Sequence, residues 1–152
     1  MLYRRYAPED FEQLYAVEEV CFQPPFRFPR GYMRQLVRDP NAATWIAEDE
    51  GAIAGFAIVY WEIRRGGVRA YLETLEVKPE LRGRGTGGEL LRRCEESARA
   101  AGAEAMDLHV DEENGAAIGL YRAHGFERHG RVEGYYPEGR AAEVYAKRVM
   151  AQ

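Results

Sequence analysis

Lysine is nearly missing from this 152-residue chain: of 21 basic residues, all but Lys78 and Lys147 are arginine. The 25 acidic residues outnumber them, for a formal net charge of −4 and a pI near 5.5. That balance gives no general electrostatic reason to bind nucleic acid or an anionic membrane. Cysteine is equally scarce. Cys21 and Cys94 stand far apart and outside any CxxC, which argues against a structural zinc site and for a reducing, cytoplasmic compartment. No apolar run approaches the ~18–20 residues of a membrane span. The opening stretch turns acidic at Glu9, Asp10 and Glu12 without an apolar core, so it does not read as a secretory signal. Linkers, repeats and low-complexity blocks are missing too, and the length suits one domain over residues 1–152.

What is present alternates between short apolar strands and helical patterns. Leu2–Tyr6 reads as a strand. Pro8 opens a helix carrying Phe11, Leu14, Tyr15, Glu18 and Phe22 at spacings of three and four. The prolines at 24, 25 and 29 break it, and a second helix is expected over Gly31–Arg38, before Pro40. Ala43–Glu48, Ile53–Trp61 and Val68–Val77 read as a three-strand meander with turns at Asp49-Glu50-Gly51 and Gly66-Gly67. Thr86–Ala101 is a long amphipathic helix closed by Gly102, and Asn114–His124 a shorter one closed by Gly125. Ala105–Val110, Phe126–Gly134 and Glu143–Met150 supply the remaining strands. The order β-α-α-β-β-β-α-β-α-β-β predicts an α/β layer architecture with a mixed sheet.

The strongest local signal is Arg82-Gly83-Arg84-Gly85-Thr86-Gly87-Gly88, at the N-terminus of the long helix. Unpaired backbone N–H groups, the helix dipole and two arginines make this an anion site. A P-loop is excluded because no Gly-Lys-Ser/Thr is present. Gly83, Gly85 and Gly88 match GxGxxG, but a dinucleotide fingerprint should follow its strand directly. Here Lys78-Pro79-Glu80-Leu81-Arg82 intervenes. A glycine-rich turn with no ligand would not need two arginines.

Read instead as Arg82-x-x-Gly85-x-Gly87 after a strand, the segment resembles the pyrophosphate loop of the GNAT superfamily of acyl-CoA-dependent N-acyltransferases. The element order is also that family's order. Asn114-Gly-Ala-Ala-Ile-Gly-Leu-Tyr121-Arg-Ala-His-Gly125-Phe126 resembles its second signature. The resemblance implies a mostly antiparallel mixed sheet with helices on both faces and a splay between the fourth and fifth strands. It implies acetyl-CoA as co-substrate, with no metal. The cofactor would lie along Leu75, Glu76 and Val77, over the loop from Arg82 to Gly88, and against Asn114 and Tyr121. The Val77 N–H would serve the oxyanion and the Tyr121 phenol the leaving thiolate.

Which amine is acetylated turns on pKa. Presenting a neutral α-amine (pKa ~7.7–8.0) at pH 7 costs about 1 kcal/mol, and a neutral lysine (~10.4) about 4–5 kcal/mol. A modest base therefore suffices for an N-terminus. Asp107 and His109 alternate with Leu108 and Val110, and strict alternation puts Tyr71, Glu73, Leu75 and Val77 on one strand face. Tyr71, Glu73 and His109 are thus expected to line one groove. The combination resembles protein N-terminal acetyltransferases in which a Tyr and a His position a water that deprotonates the amine. RimI-type enzymes, which acetylate ribosomal-protein N-termini, carry Glu at the position of His109, where this sequence departs. Glu73 is the alternative base. Tyr135 and Tyr136 resemble the paired-tyrosine loop that holds the substrate backbone in such enzymes, and Phe26 lies in a segment resembling their other substrate wall. The implied partner is a protein or peptide N-terminus, a ribosomal protein among the candidates. A small amine is the alternative acceptor, and a silent CoA-binding domain a more distant one. Cys21 and Cys94 are expected in helices outside the groove.

Overall fold

The structure, a computed structural model, describes residues 1–150. Strands β1 (Leu2–Arg5), β2 (Ala42–Asp49), β3 (Ala52–Arg64), β4 (Gly67–Val77), β5 (Ala103–Asp111), β6 (Glu127–Val132) and β7 (Ala142–Arg148) form one sheet in the order β1-β2-β3-β4-β5-β7-β6. Helices α1 (Phe11–Cys21) and α2 (Arg30–Arg38) cover one face, and α3 (Thr86–Ala100) and α4 (Gly115–Ala123) the other. The expected order of elements is found. The last two strands end earlier than expected, at Val132 and Arg148. Among the described residues no helix is long and apolar enough to cross a membrane.

Two cores follow from these layers. Phe11, Leu14 and Val17 of α1 and Met33 of α2 pack on Ile46, Phe56 and Ile58. Leu90, Leu91 and Cys94 of α3 pack on Ala57, Val59, Leu72 and Met106. β3 is buried on both faces, so its apolar run is continuous rather than alternating.

Two irregularities in β4 shape the site. The only parallel pairing among the described residues, β4 with β5, runs from Val68–Ala103 to Tyr71–Asp107 and stops there, although both strands continue. Beyond that point they diverge, which is the expected splay. The second irregularity was not expected. Ile58 pairs with Thr74 but Val59 with Leu72, so Glu73 is an extra residue, a β-bulge. The bulge breaks the strict alternation. Leu72, Leu75 and Val77 all belong to the α3 side, while Tyr71 packs on Tyr60 and Glu76 reaches α1 on the other.

Glu76 meets Glu18 of α1 in a site where both residues are almost fully buried, at 3% and 1% exposure. Thr74 Oγ1 donates to Glu76 Oε2 at 2.7 Å, and the Phe28 N–H to Glu18 Oε2 at 2.9 Å. Each carboxyl keeps one buried oxygen, Oε1, without a hydrogen-bond partner. Burial, reinforced by Glu18, raises the Glu76 pKa well above the ordinary range. An acid whose pKa rises on folding stabilises fully below its unfolded value (~4.3) and loses that contribution as pH rises through the folded one. Glu76→Gln, fixed in the neutral state, is expected to match wild type in thermal melts at pH 4 and to exceed it at pH 8. The gap should grow by up to about 1.4 kcal/mol per pH unit. A constant difference across that range would remove the raised Glu76 pKa.

Candidate active site

The splay opens a groove whose walls come from both cores. On its β4 side, the Lys78 N–H bonds to the Ala54 carbonyl at 2.8 Å, back toward β3. In an antiparallel ladder the alternate residues Val77 and Leu75 therefore turn their N–H and C=O groups away from β3, into the gap. The Val77 carbonyl already accepts from Arg82 Nε at 2.9 Å and from the Cys21 thiol at 3.5 Å. Arg82 thus latches the glycine loop onto the end of β4. Cys21 borders the groove at the end of α1, contrary to the expectation that it lay outside. Burial pushes its thiol up to about 11, so it stays protonated at neutral pH. Cys94 is buried under α3, as expected.

Gly85 is the N-cap of α3 with φ +82°, and Gly83 has φ +78°; a Cβ at either would point into open space. The first i→i−4 bond near this end is from the Glu89 N–H to the Gly85 carbonyl at 3.1 Å. The N–H groups of Thr86, Gly87 and Gly88 precede it and face the loop at the positive end of the helix. Gly87 and Gly88 are small for a different reason. A Cβ at Gly87 would lie 3.2 Å from Leu120, and one at Gly88 2.9 Å from His124 Nε2, so they admit α4. Arg84 is exposed beside them. This open cradle, with free amides and an unpaired β4 edge, fits the diphosphate and the amide-bearing arm of acetyl-CoA.

Asn114 caps α4, its Oδ1 accepting from the Ala117 N–H at 3.1 Å, and it borders the same groove. Tyr121, two turns on, is buried at 7% exposure with its ring against Phe126 at 5.9 Å. Burial raises its phenol well above the ordinary 10. A full proton transfer to a thiolate near 8.5 is therefore steeper than the bare residue suggests, and hydrogen-bond donation is what this phenol can offer.

Where β4 and β5 part, Tyr71 Oη lies 2.7 Å from His109 Nδ1. The His109 ring stacks on Tyr135 at 4.3 Å and 6°, and Tyr71 Oη reaches Tyr135 Oη at 3.5 Å. Tyr136 stands edge-on to Tyr135 at 4.9 Å. Burial lowers the His109 pKa, opposed by Asp107, and raises that of Tyr71. At neutral pH this leaves an uncharged imidazole against an un-ionised phenol. Glu73 is half-buried, its Oε1 accepting from Tyr32 Oη at 2.7 Å; burial raises its pKa and Tyr32 opposes the rise. Phe26 lines the opposite wall beneath the Arg140 guanidinium at 5.2 Å. The carboxyl of Glu76 turns away to Glu18, so only its backbone borders the groove.

The structure thus gathers His109, Tyr71, Tyr135, Tyr136, Glu73 and Phe26 at one end of the gap and Val77, Arg82, Gly83 and Gly85–Gly88 at the other, with Leu75, Asn114 and Tyr121 bordering both, while Arg84 is not among the lining residues. Tyr32 and Tyr60, which also face the site, escaped the sequence reading because neither belongs to a motif; only the fold brings α2 and β3 to the Glu73 bulge.

The sequence model of the "Acetyltransferase (GNAT) family" matches residues 9–126. The chain belongs to that family, and is an acetyltransferase using acetyl-CoA. The structure is similar to the ribosomal-protein-S18-alanine N-acetyltransferase of Escherichia coli, with a TM-score of 0.84 and 21% identity over 99% of this chain and 95% of that one. It is also similar to Arabidopsis thaliana NAA60 in complex with acetyl-CoA (0.86, 20%, 97% of each chain). A third similar structure is the ribosomal-protein-alanine N-acetyltransferase of Brucella melitensis (0.79, 21%, 97% of this chain and 99% of that one). At these identities the likeness is one of fold.

Proposed function

We propose that this protein transfers acetyl directly from acetyl-CoA to the N-terminal α-amine of a protein or peptide. The observation that carries this reading is the 2.7 Å Tyr71–His109 contact, seated where the two strands part and stacked beneath Tyr135. Acetyl-CoA supplies an activated thioester; the remaining tasks belong to the chain. A neutral imidazole is a base matched to an amine of pKa ~7.7–8.0 and poorly matched to lysine. Tyr71, kept un-ionised by burial, holds His109 and a water in line with the incoming amine. The Val77 N–H, turned into the gap, is placed for the thioester oxygen, and Tyr121 donates toward the sulfur. With Cys21 held protonated, no covalent enzyme intermediate is invoked. The paired tyrosines at 135 and 136 oppose Phe26 across an open groove, which suits an extended chain better than a small amine. The similar folds of two ribosomal-protein-alanine N-acetyltransferases support the same class. The free cysteines support a reducing, cytoplasmic setting.

Short peptides differing in their first two residues, each offered with a free or blocked N-terminus and an internal lysine, test the reading. Turnover is expected to vanish on blocking. Turnover that survives blocking identifies a side-chain or small-amine enzyme instead.

A further inference from the structure

Beside the Tyr71–His109 pair, and sharing no lining residue with the glycine-loop end, lies a second pocket, open to solvent, of about 640 Å³. Its walls are the rings of Tyr32, Tyr60, Tyr71 and Tyr135, contributed by α2, β3, β4 and the β6–β7 connection, and Glu73 lies among them. Tyr60 and Tyr71 stand 5.5 Å apart at 41°, forming a corner. Glu73 is held there by one hydrogen bond from Tyr32, on Oε1.

The charges around this cavity are unequally satisfied. Arg69 is clamped by both Asp107 oxygens, at 2.5 and 2.7 Å, and Arg64 is paired with Glu62 at 3.1 Å. His129 borders the cavity as well. Glu73, by contrast, enters none of the ion pairs among the described residues. A half-buried carboxylate without a counter-ion, walled by four phenol rings, is unfavourable when empty of cation. It is favourable once an ammonium or guanidinium enters, because ring faces and carboxylate attract the same sign.

We infer that this cavity is a subsite for a cationic side chain of the acceptor, an arginine or lysine directly following the acetylated residue. The inference rests on the α-amine reading. With the amine at Tyr71 and His109, the first side chain faces the apolar wall of Pro25, Phe26 and Phe28. The next lies one extended step (~3.3 Å) onward and on the opposite side of the chain, past Tyr135. Glu73 is then a specificity residue rather than the base.

The test uses four peptides that share a first residue and carry Arg, Lys, Gln or Glu second, assayed with wild type, Glu73→Gln and Glu73→Lys. Wild type is expected to favour Arg and Lys over Gln by about tenfold in kcat/KM, mostly through KM, with Glu weakest. In Glu73→Gln the ratio should fall to within about twofold, and in Glu73→Lys the Glu peptide should overtake the Arg peptide. The ratio is taken within each variant, so a general loss of rate cancels. Should a variant be inactive, calorimetric affinities of the same peptides for the CoA-loaded protein give the same ratios. Equal use of all four peptides by wild type overturns the subsite while leaving α-amine acetylation standing. An unchanged Arg preference in Glu73→Gln also overturns it. Acetylation of spermidine but of no peptide overturns the α-amine reading, and this inference with it.

Discussion

Replacing His109 by alanine is expected to lower kcat by about 10²–10⁴-fold while leaving acetyl-CoA affinity unchanged. The separation follows from position. His109 lines the groove beside Tyr71 and Tyr135 but not the part walled by the glycine loop. Tyr71→Phe removes the hydroxyl 2.7 Å from Nδ1 without emptying the site, and is expected to cost less than the imidazole itself. The pH profile gives a further signature. Burial lowers the His109 pKa below the ordinary 6.5, so the neutral base persists as pH falls and is lost only below that ordinary value. The acid limb of kcat in wild type should therefore lie below 6.5 and disappear in His109→Ala. Steady-state kinetics with calorimetric acetyl-CoA binding measure both. A His109→Ala enzyme with wild-type kcat would move the base elsewhere, with Glu73 first to be tested, and would remove the support for a purely specificity role of Glu73.

Gly85→Glu is expected to weaken acetyl-CoA binding by at least about 100-fold without unfolding the protein. The new side chain enters open space, since nothing lies within 4 Å of a Cβ at Gly85. Its two local effects oppose each other. A non-glycine residue at φ +82° is strained by ~1–2 kcal/mol. A carboxylate at a helix N-terminus returns ~0.3–1 kcal/mol. The fold should survive this balance, but the ligand should not. The carboxylate occupies the positive end of α3 where the N–H groups of Thr86, Gly87 and Gly88 await an anion, and it repels a diphosphate there. Gly85→Ala, which adds the strain without the charge, should bind with a loss of only several-fold. Equal affinities for the two variants, measured by calorimetry on proteins with matching melts, would place the diphosphate away from this loop.

The cofactor half of the site was legible because it is local in sequence. Arg82 to Gly88 adjoin one helix start, and Asn114 and Tyr121 are bound to one face of a short helix by their seven-residue spacing. The substrate half was legible only in part. His109 was found through strand alternation in β5, which is regular from Met106 to Asp111. Alternation failed in β4, because a bulge is a property of how two strands pair and no residue type in Tyr71–Val77 announces it. The same limit hid Cys21. Its position at the end of a helix was readable, but the approach of that end to the Val77 carbonyl depends on how α1 crosses the sheet.

By itself, then, the amino-acid sequence determined the order of elements, the two signatures and the family they imply, since periodicity, turn chemistry and motif spacing act over a few residues. Tertiary structure alone decided which side of β4 each side chain serves. It brought Tyr32 and Tyr60 to Glu73 from elements far apart in the chain, and buried Glu18 against Glu76. Those outcomes come from the register of β3 on β4 and the packing of α1 and α2 over the sheet, which are settled by the burial of whole faces rather than by any local run of residues.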